Sequence, residues 1–170
     1  MSRFGVGTVE VPDGCTVLAG RPAGDLDVAI VASRFNAQIV QRLLDGAVAE
    51  LEAHGVGRDR VTVVLVPGAF ELPLACRRLA MAGGHHAVVA LGCVIRGETP
   101  HFDYVCSEAA RGISEAAAVS GIPVTFGVIT ANTLEQAQER AGGSHGNAGA
   151  SAAAAAVEMT GLLRTLPRSR

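Results

Sequence analysis

The chain has no lysine, and all 14 of its basic residues are arginine. That absence excludes a lysine Schiff base, an enzyme-bound pyridoxal phosphate and the lysine of a phosphate-binding P-loop. Tryptophan is missing too, and one tyrosine with five phenylalanines makes an aromatic content of only 4%. With a formal charge of −2 and pI near 6.2, the chain offers neither a basic face nor enough stacking rings for nucleic acid. Cys15, Cys76, Cys93 and Cys106 lie far apart with no C-x-x-C pair, which argues against a zinc ribbon or a redox dithiol. No histidine or carboxylate pair has a convincing metal spacing, so no metal is expected. Residues 1–24 lack a continuous apolar stretch of signal-peptide type, and every apolar run is far shorter than the roughly 20 residues of a membrane span. A soluble, unexported, cytoplasmic protein with reduced thiols and no membrane contact is expected.

What is present is core material. Hydrophobic residues make up 49% of 170 positions, enough for one domain. After an irregular start carrying Pro12, Gly20 and Pro22, Asp27 to Ala32 reads as a strand buried on both faces. Asn36 is placed to cap a helix whose apolar positions Ile39, Val40, Leu43, Leu44, Ala47, Val48 and Leu51 follow the 3.6 period, and Gly55 stops it. Val61 to Val66 is a second strand, broken by Pro67-Gly68, and a helix follows over Phe70 to Met81 with Pro73 in its first turn. Ala87 to Leu91 makes a third strand. The next helix has Thr99 as its cap and Pro100 in its first position, and presents Phe102, Val105, Cys106, Ala109 and Ile113 on one stripe before Gly121. Pro123 to Ile129 is a fourth strand. Thr133 to Gln136 has capping-box spacing for a short helix to about Ala141, and an alanine-rich helix runs from about Ala148 to Leu166.

Strand and helix therefore alternate four times, which implies right-handed crossovers in a parallel sheet. The expected fold is α/β, a three-layer α/β/α, flavodoxin-like architecture with a four-stranded parallel sheet and helices on both faces. Ligands of such sheets bind outside the carboxyl ends of the strands. The segments there are Ser33 to Asn36, Pro67 to Glu71, Cys93 to His101 and Thr130 to Asn132. His101 brings an imidazole, the side chain that titrates nearest neutrality, to a helix start whose free amides suit an anion; a solvated histidine is the plainer alternative. Glu71 suits a polyol or amine, although any carboxylate is favoured in a first helical turn. Phe35 and Phe70 each follow a strand where core periodicity does not demand them, which suits stacking on a flat ring or ordinary burial. Arg140 suits a phosphate, or a helix C-terminus for its own sake. His54, His85 and His86 read as solvated surface. Spacing alone reaches an anion-plus-ring site with a histidine base and stops there.

Several segments in order carry a more specific signal: Ser33-Arg34-Phe35-Asn36, Val66 to Pro73, Leu91 to Val105, Phe126-Gly127-Val128, Glu135-Gln136-Ala137 and Glu139 to Gly142. On these, the chain resembles lumazine synthases over about Val28 to Leu166. The resemblance divides the chain into an N-terminal segment 1–25 that pairs with a neighbouring subunit, a single domain 26–166 and a tail 167–170. It implies condensation of 5-amino-6-ribitylaminouracil with 3,4-dihydroxy-2-butanone 4-phosphate to give 6,7-dimethyl-8-ribityllumazine, with no cofactor. The imine forms between two substrates, which reconciles imine chemistry with a lysine-free chain. By the resemblance, Phe35 stacks on the pyrimidine, Ala69, Phe70 and Glu71 hold the ribityl chain, and the backbone of Cys93, Val94 and Ile95 reads the ring's polar edge. Glu98 and Thr99 contact phosphate, His101 moves protons, and Phe126 and Arg140 come from the adjacent subunit.

The implied partners are these two small molecules, four further copies in a homo-pentamer, a 60-subunit shell in the larger case, and a riboflavin synthase. One departure stands out: the family commonly reads Gly-Asn-Lys-Gly where this chain has Gly146-Asn147-Ala148-Gly149, so a cation near the phosphate is missing unless His145 replaces it. A shell-forming homologue with reduced catalysis, and a flavodoxin-like flavin- or nucleotide-binding module, are the alternatives.

Overall fold

A computed structural model describes residues 9–21 and 25–167. Pro22 and the outer parts of the two terminal segments, 1–8 and 168–170, lie outside the described residues. Four strands, β1 (Val28–Ser33), β2 (Val61–Val66), β3 (Ala87–Ile95) and β4 (Val124–Ala131), form a parallel sheet in the order β2-β1-β3-β4. This is the expected three-layer, flavodoxin-like arrangement, with the order reversing beside β1. Helices α1 (Ala37–Ala53), α2 (Leu72–Met81), α3 (His101–Ser120), α4 (Leu134–Glu139) and α5 (Ala148–Thr165) cover it.

Strand alternation divides the core into two layers. Val28, Ile30, Ala32, Val89, Leu91 and Cys93 face α1 and α5, while Ala29, Val31, Val88 and Ala90 face α2 and α3. Every residue of β1 is buried, as its unbroken apolar run foretold. β2 is an edge, and its Val63 and Leu65 stay exposed.

The alanine run in α5 is ordered because α1 and α5 need small residues where they meet. A Cβ on Gly149 would stand 2.1 Å from the carbonyl oxygen of Leu43 in α1. Gly46 likewise leaves room for Asn147, whose Nδ2 donates to the Arg42 carbonyl (2.8 Å) while its Oδ1 accepts from Gly149 and Ala150 N–H at the start of α5.

Several boundaries differ from the sequence reading. β3 runs four residues beyond Leu91 because β4 extends beside it, pairing Cys93 with Ile129 and Ile95 with Ala131. Gly92 therefore lies inside a strand, where a Cβ would meet Leu72 Cδ1 at 3.1 Å and Ser33 Oγ at 3.3 Å. Asn36 holds the N-cap position in the left-handed region (φ 57°), but its amide donates across to the Cys93 carbonyl (2.9 Å) and does not cap α1. Thr99 does not cap α3; Pro100 immediately precedes the first helical residue, His101, and no side chain caps this helix. Thr133 caps α4 by accepting from Gln136 N–H, but Gln136 Oε1 accepts from Asn132 N–H in place of Thr133's own. A small hairpin, β5 (Ala141–Gly143) with β6 (Gly146–Asn147), was not anticipated between α4 and α5.

Burial pushes the Cys76 thiol up to about 12 and the Cys93 thiol up to about 11. In the unfolded chain both ionise near pH 9, so their contribution is intact below that pH and lost as pH rises towards the folded values. The unfolding free energy should accordingly fall between pH 9 and 11, by up to roughly 1.4 kcal/mol per pH unit for each thiol, and the denaturant midpoint with it. A midpoint that stays level over that range would show both thiols to be open to water.

Candidate active site

The carboxyl rim of the sheet holds a cavity of about 530 Å³. Its first wall is the turn from β1 to α1, where Arg34 N–H donates to the Val66 carbonyl (2.8 Å) and Phe35 N–H to that of Pro67 (3.1 Å). These bonds tie two rim loops together and leave the Phe35 ring 70% exposed at the cavity mouth. The Asn36 bond to Cys93 ties the same turn to β3.

The second wall is Gly68 to Glu71. Glu71 Oε2 accepts from Gly68 N–H (2.9 Å), which closes the turn and sets the carboxylate on the cavity wall. Ala69 is buried there, and Phe70 is exposed beside it.

The third wall is the end of β3 and the start of α3: Cys93, Val94, Ile95, Gly97, Thr99 and His101 all line the space. Because β3 continues to Ile95, Cys93, Val94 and Ile95 bring extended strand backbone to the cavity. The Cys93 thiol is buried on the α1–α5 side of the sheet and held neutral there, so this residue borders the cavity without offering a nucleophile. His101 is exposed, the first residue of a helix without a side-chain cap, so the imidazole and the helix's free amides share one rim.

The loop leading into α3 is braced by Arg96. Its N–H donates to the Ala131 carbonyl (2.9 Å), its Nε to Asn132 Oδ1 (3.0 Å), and its Nη1 and Nη2 to the two carboxylate oxygens of Asp103 (3.3 and 2.9 Å). The guanidinium carbon sits 4.2 Å from the centre of the Phe102 ring. Asp103 holds Arg96 firmly charged.

Nine of the twelve residues expected at the site therefore line one cavity: Phe35, Ala69, Phe70, Glu71, Cys93, Val94, Ile95, Thr99 and His101. Glu98, Phe126 and Arg140 do not. Phe126 lies on edge strand β4, 43% exposed. Arg140 lies beyond α4, its Nη1 donating to the Gln136 carbonyl (3.0 Å). Beside it, Glu139 accepts from Ser144 N–H (2.9 Å) and the Ser144 hydroxyl, which hold its carboxyl below the usual range, and His145 Nδ1 stands 3.9 Å from the same carboxylate.

Phe102 and Val105 also line the cavity, although their spacing marked them only as a helix stripe. The first turn of α3 overhangs the sheet's end, so its apolar stripe faces the pocket there. The only sequence signal for this was proximity to His101. His54, His85 and His86 are half-buried at the surface: His54 Nδ1 lies 2.9 Å from the Glu50 carbonyl, and His86 Nδ1 accepts from Asp27 N–H (2.9 Å). Among the described residues no three His, Cys, Asp or Glu side chains gather as a metal cradle, and no helix is long and apolar enough to cross a membrane.

A doubly covered parallel sheet with rings, a carboxylate and an imidazole around a cavity at its carboxyl rim defines a three-layer α/β/α protein with a small-molecule site. The family model described as 6,7-dimethyl-8-ribityllumazine synthase matches residues 25–164 of the 170. The chain belongs to this family, whose place is riboflavin biosynthesis.

Proposed function

We propose that the protein condenses 5-amino-6-ribitylaminouracil with 3,4-dihydroxy-2-butanone 4-phosphate, releasing phosphate and water to form 6,7-dimethyl-8-ribityllumazine. The observation that carries this reading is the gathering of Phe35, Phe70, Glu71, the β3 backbone and His101 around one cavity in a chain of this family. The pyrimidine stacks on Phe35 and bonds the backbone of Cys93 to Ile95, while Ala69, Phe70 and Glu71 hold the ribityl chain. The phosphate lies near Glu98 and Thr99 at the open start of α3. The pyrimidine's amine adds to the ketone and a first water leaves; loss of a C–H proton then expels phosphate and leaves an enol that becomes a carbonyl, and the ribitylamino nitrogen closes the ring on that carbonyl with loss of a second water, His101 moving the protons. Holding amine and ketone together supplies much of the rate, because oriented intramolecular reactions reach very large effective molarities.

The proposal extends to a cytoplasmic homo-pentamer in which Phe126 and Arg140 of one copy complete the neighbour's cavity. Their absence from the protomer's own cavity supports this, as does the heterologous contact a closed ring requires. The segment 1–25 pairs with a neighbouring subunit of that ring, domain 26–166 carries the site, and 167–170 forms a C-terminal tail. Assembly into 60-subunit shells, with a riboflavin synthase as a further partner, belongs to the same reading. Arg140→Ala should raise KM for the butanone phosphate about tenfold or more with a smaller change in kcat, as expected for loss of a charged contact to phosphate. Steady-state titration of each substrate separately checks this.

Ala148 favours a second reading. It opens α5 with no cation of its own, next to the hairpin that carries Ser144 and His145. A shell-forming protein with impaired catalysis would have such a phosphate end. Mixing both substrates and following lumazine absorbance and fluorescence, with light scattering on the same sample, separates the readings. Product formation supports the enzyme. Large particles with no product favour the shell, and flavin binding without turnover overturns both.

A further inference from the structure

We infer that Arg96 is a positioning residue that holds the proton-transfer edge of the cavity in place through Asp103 and Phe102. Three facts converge on it. The segment between β3 and α3 has little else to fix it: Gly97 has open space around its Cβ position, and no side chain caps α3. Arg96 spans that segment from both ends. Its backbone N–H extends the pairing to Ala131, its Nε grips Asn132 just past β4, and its paired Nη atoms and planar face grip Asp103 and Phe102 in the first turn of α3. His101 is the residue immediately before this clamped pair.

The clamp also has an electrostatic consequence. Asp103 puts a carboxylate into the first turn of α3, where its charge would otherwise compete with an anionic substrate for the positive end of the helix. Bidentate pairing with Arg96 offsets that charge and engages both carboxylate oxygens. Lysine could supply the charge, but not the two parallel bonds, the bond to Asn132 and the stacked plane together. The pair is exposed, and exposed pairs contribute little to global stability, so its removal should disturb the cavity edge without unfolding the protein.

The inference rests on the proposed reaction for its kinetic consequence, and on exchange measurements for its structural one. Arg96→Ala, Arg96→Lys and Asp103→Asn are compared with the wild type in full-length protein, by kcat and KM for each substrate and by hydrogen exchange of the amides in residues 97–102. Positioning predicts that Arg96→Ala and Asp103→Asn each lower kcat about 10- to 100-fold, as displacement of a reacting group by about 1 Å does. KM for the pyrimidine, which meets Phe35 and a stretch of β3 that β4 holds by backbone pairing from Cys93 to Ile95, should change less than about twofold, and exchange in 97–102 should quicken in both variants. Arg96→Lys should recover little.

A direct phosphate contact by Arg96 predicts the opposite pattern. Asp103→Asn would then free the guanidinium and lower KM for the butanone phosphate, and Arg96→Lys would rescue activity; either result overturns the inference. Unchanged exchange in 97–102 overturns it whether or not the wild type turns over. A wild type without lumazine production but with quickened exchange in both variants refutes the reaction and leaves the clamp standing. If Arg96→Ala does not fold, Asp103→Asn carries the same test.

Discussion

His101→Ala is expected to lower kcat by about two to four orders of magnitude, the usual worth of a positioned acid–base group, and to leave measurable turnover. The residue is exposed at the start of α3, so removing its ring opens no core cavity and should leave the unfolding midpoint close to the wild type. Residual activity is expected because the amine and ketone remain juxtaposed by Phe35, Glu71 and the β3 backbone, and juxtaposition supplies its share of the acceleration without any proton transfer. Both KM values should stay within a few-fold, since the ring contacts and the phosphate contacts lie elsewhere. Steady-state kinetics on the purified variant decides the matter, and wild-type turnover would remove His101 from the mechanism.

The second large effect is on folding, and its sign runs against local propensity. Within a helix, glycine to alanine normally stabilises, by about 1 kcal/mol in the interior and by less in a first turn, where Gly149 lies. Gly149→Ala should instead destabilise by about 3 kcal/mol, the upper end of what overpacking costs. The new methyl would stand 2.1 Å from the Leu43 carbonyl oxygen and 2.7 Å from its carbonyl carbon, and these are backbone atoms of a neighbouring helix that cannot rotate aside. Relief requires α1 and α5 to move apart, which opens the layer containing Leu43, Ala47, Ala153 and Val157. Urea unfolding of the variant measures this; a midpoint at or above that of the wild type would mean that the two helices do not meet so closely.

The fold was legible from residues 27 to 166 because its signals were redundant. The β1 run is apolar at every position, α1 repeats its apolar residues at helical spacing, and Gly55 and Gly121 stop helices with positive φ (84° and 72°). What failed was any feature whose cause lies elsewhere in the chain. Gly92 reads as a strand end, since glycine weakens strands, but its lack of a side chain answers to Leu72 and Ser33, distant in sequence. Asn36 reads as a cap, since asparagine so often is one, but the carbonyl of Cys93 is within its reach and takes the amide. The β5–β6 hairpin carries too few residues for any periodicity to show. The site followed the same division. Residues just after strands could be placed on the rim by topology alone, whereas Phe102 and Val105 needed to be seen overhanging it.

Cys76 and Cys93 are buried on opposite sides of the sheet, Cys76 on the inner face of α2 in the α2–α3 layer and Cys93 in β3 beneath α1 and α5. Each is thus a timer for one half of the molecule. A thiol reagent reaches the first only when the α2–α3 layer lifts, and the second only when the α1–α5 layer does. Local openings occur with free energies below that of global unfolding, so the order in which the two sulfurs are labelled under native conditions reports which layer loosens first. Simultaneous labelling, at a rate that tracks complete unfolding, would mark the two layers as one cooperative unit.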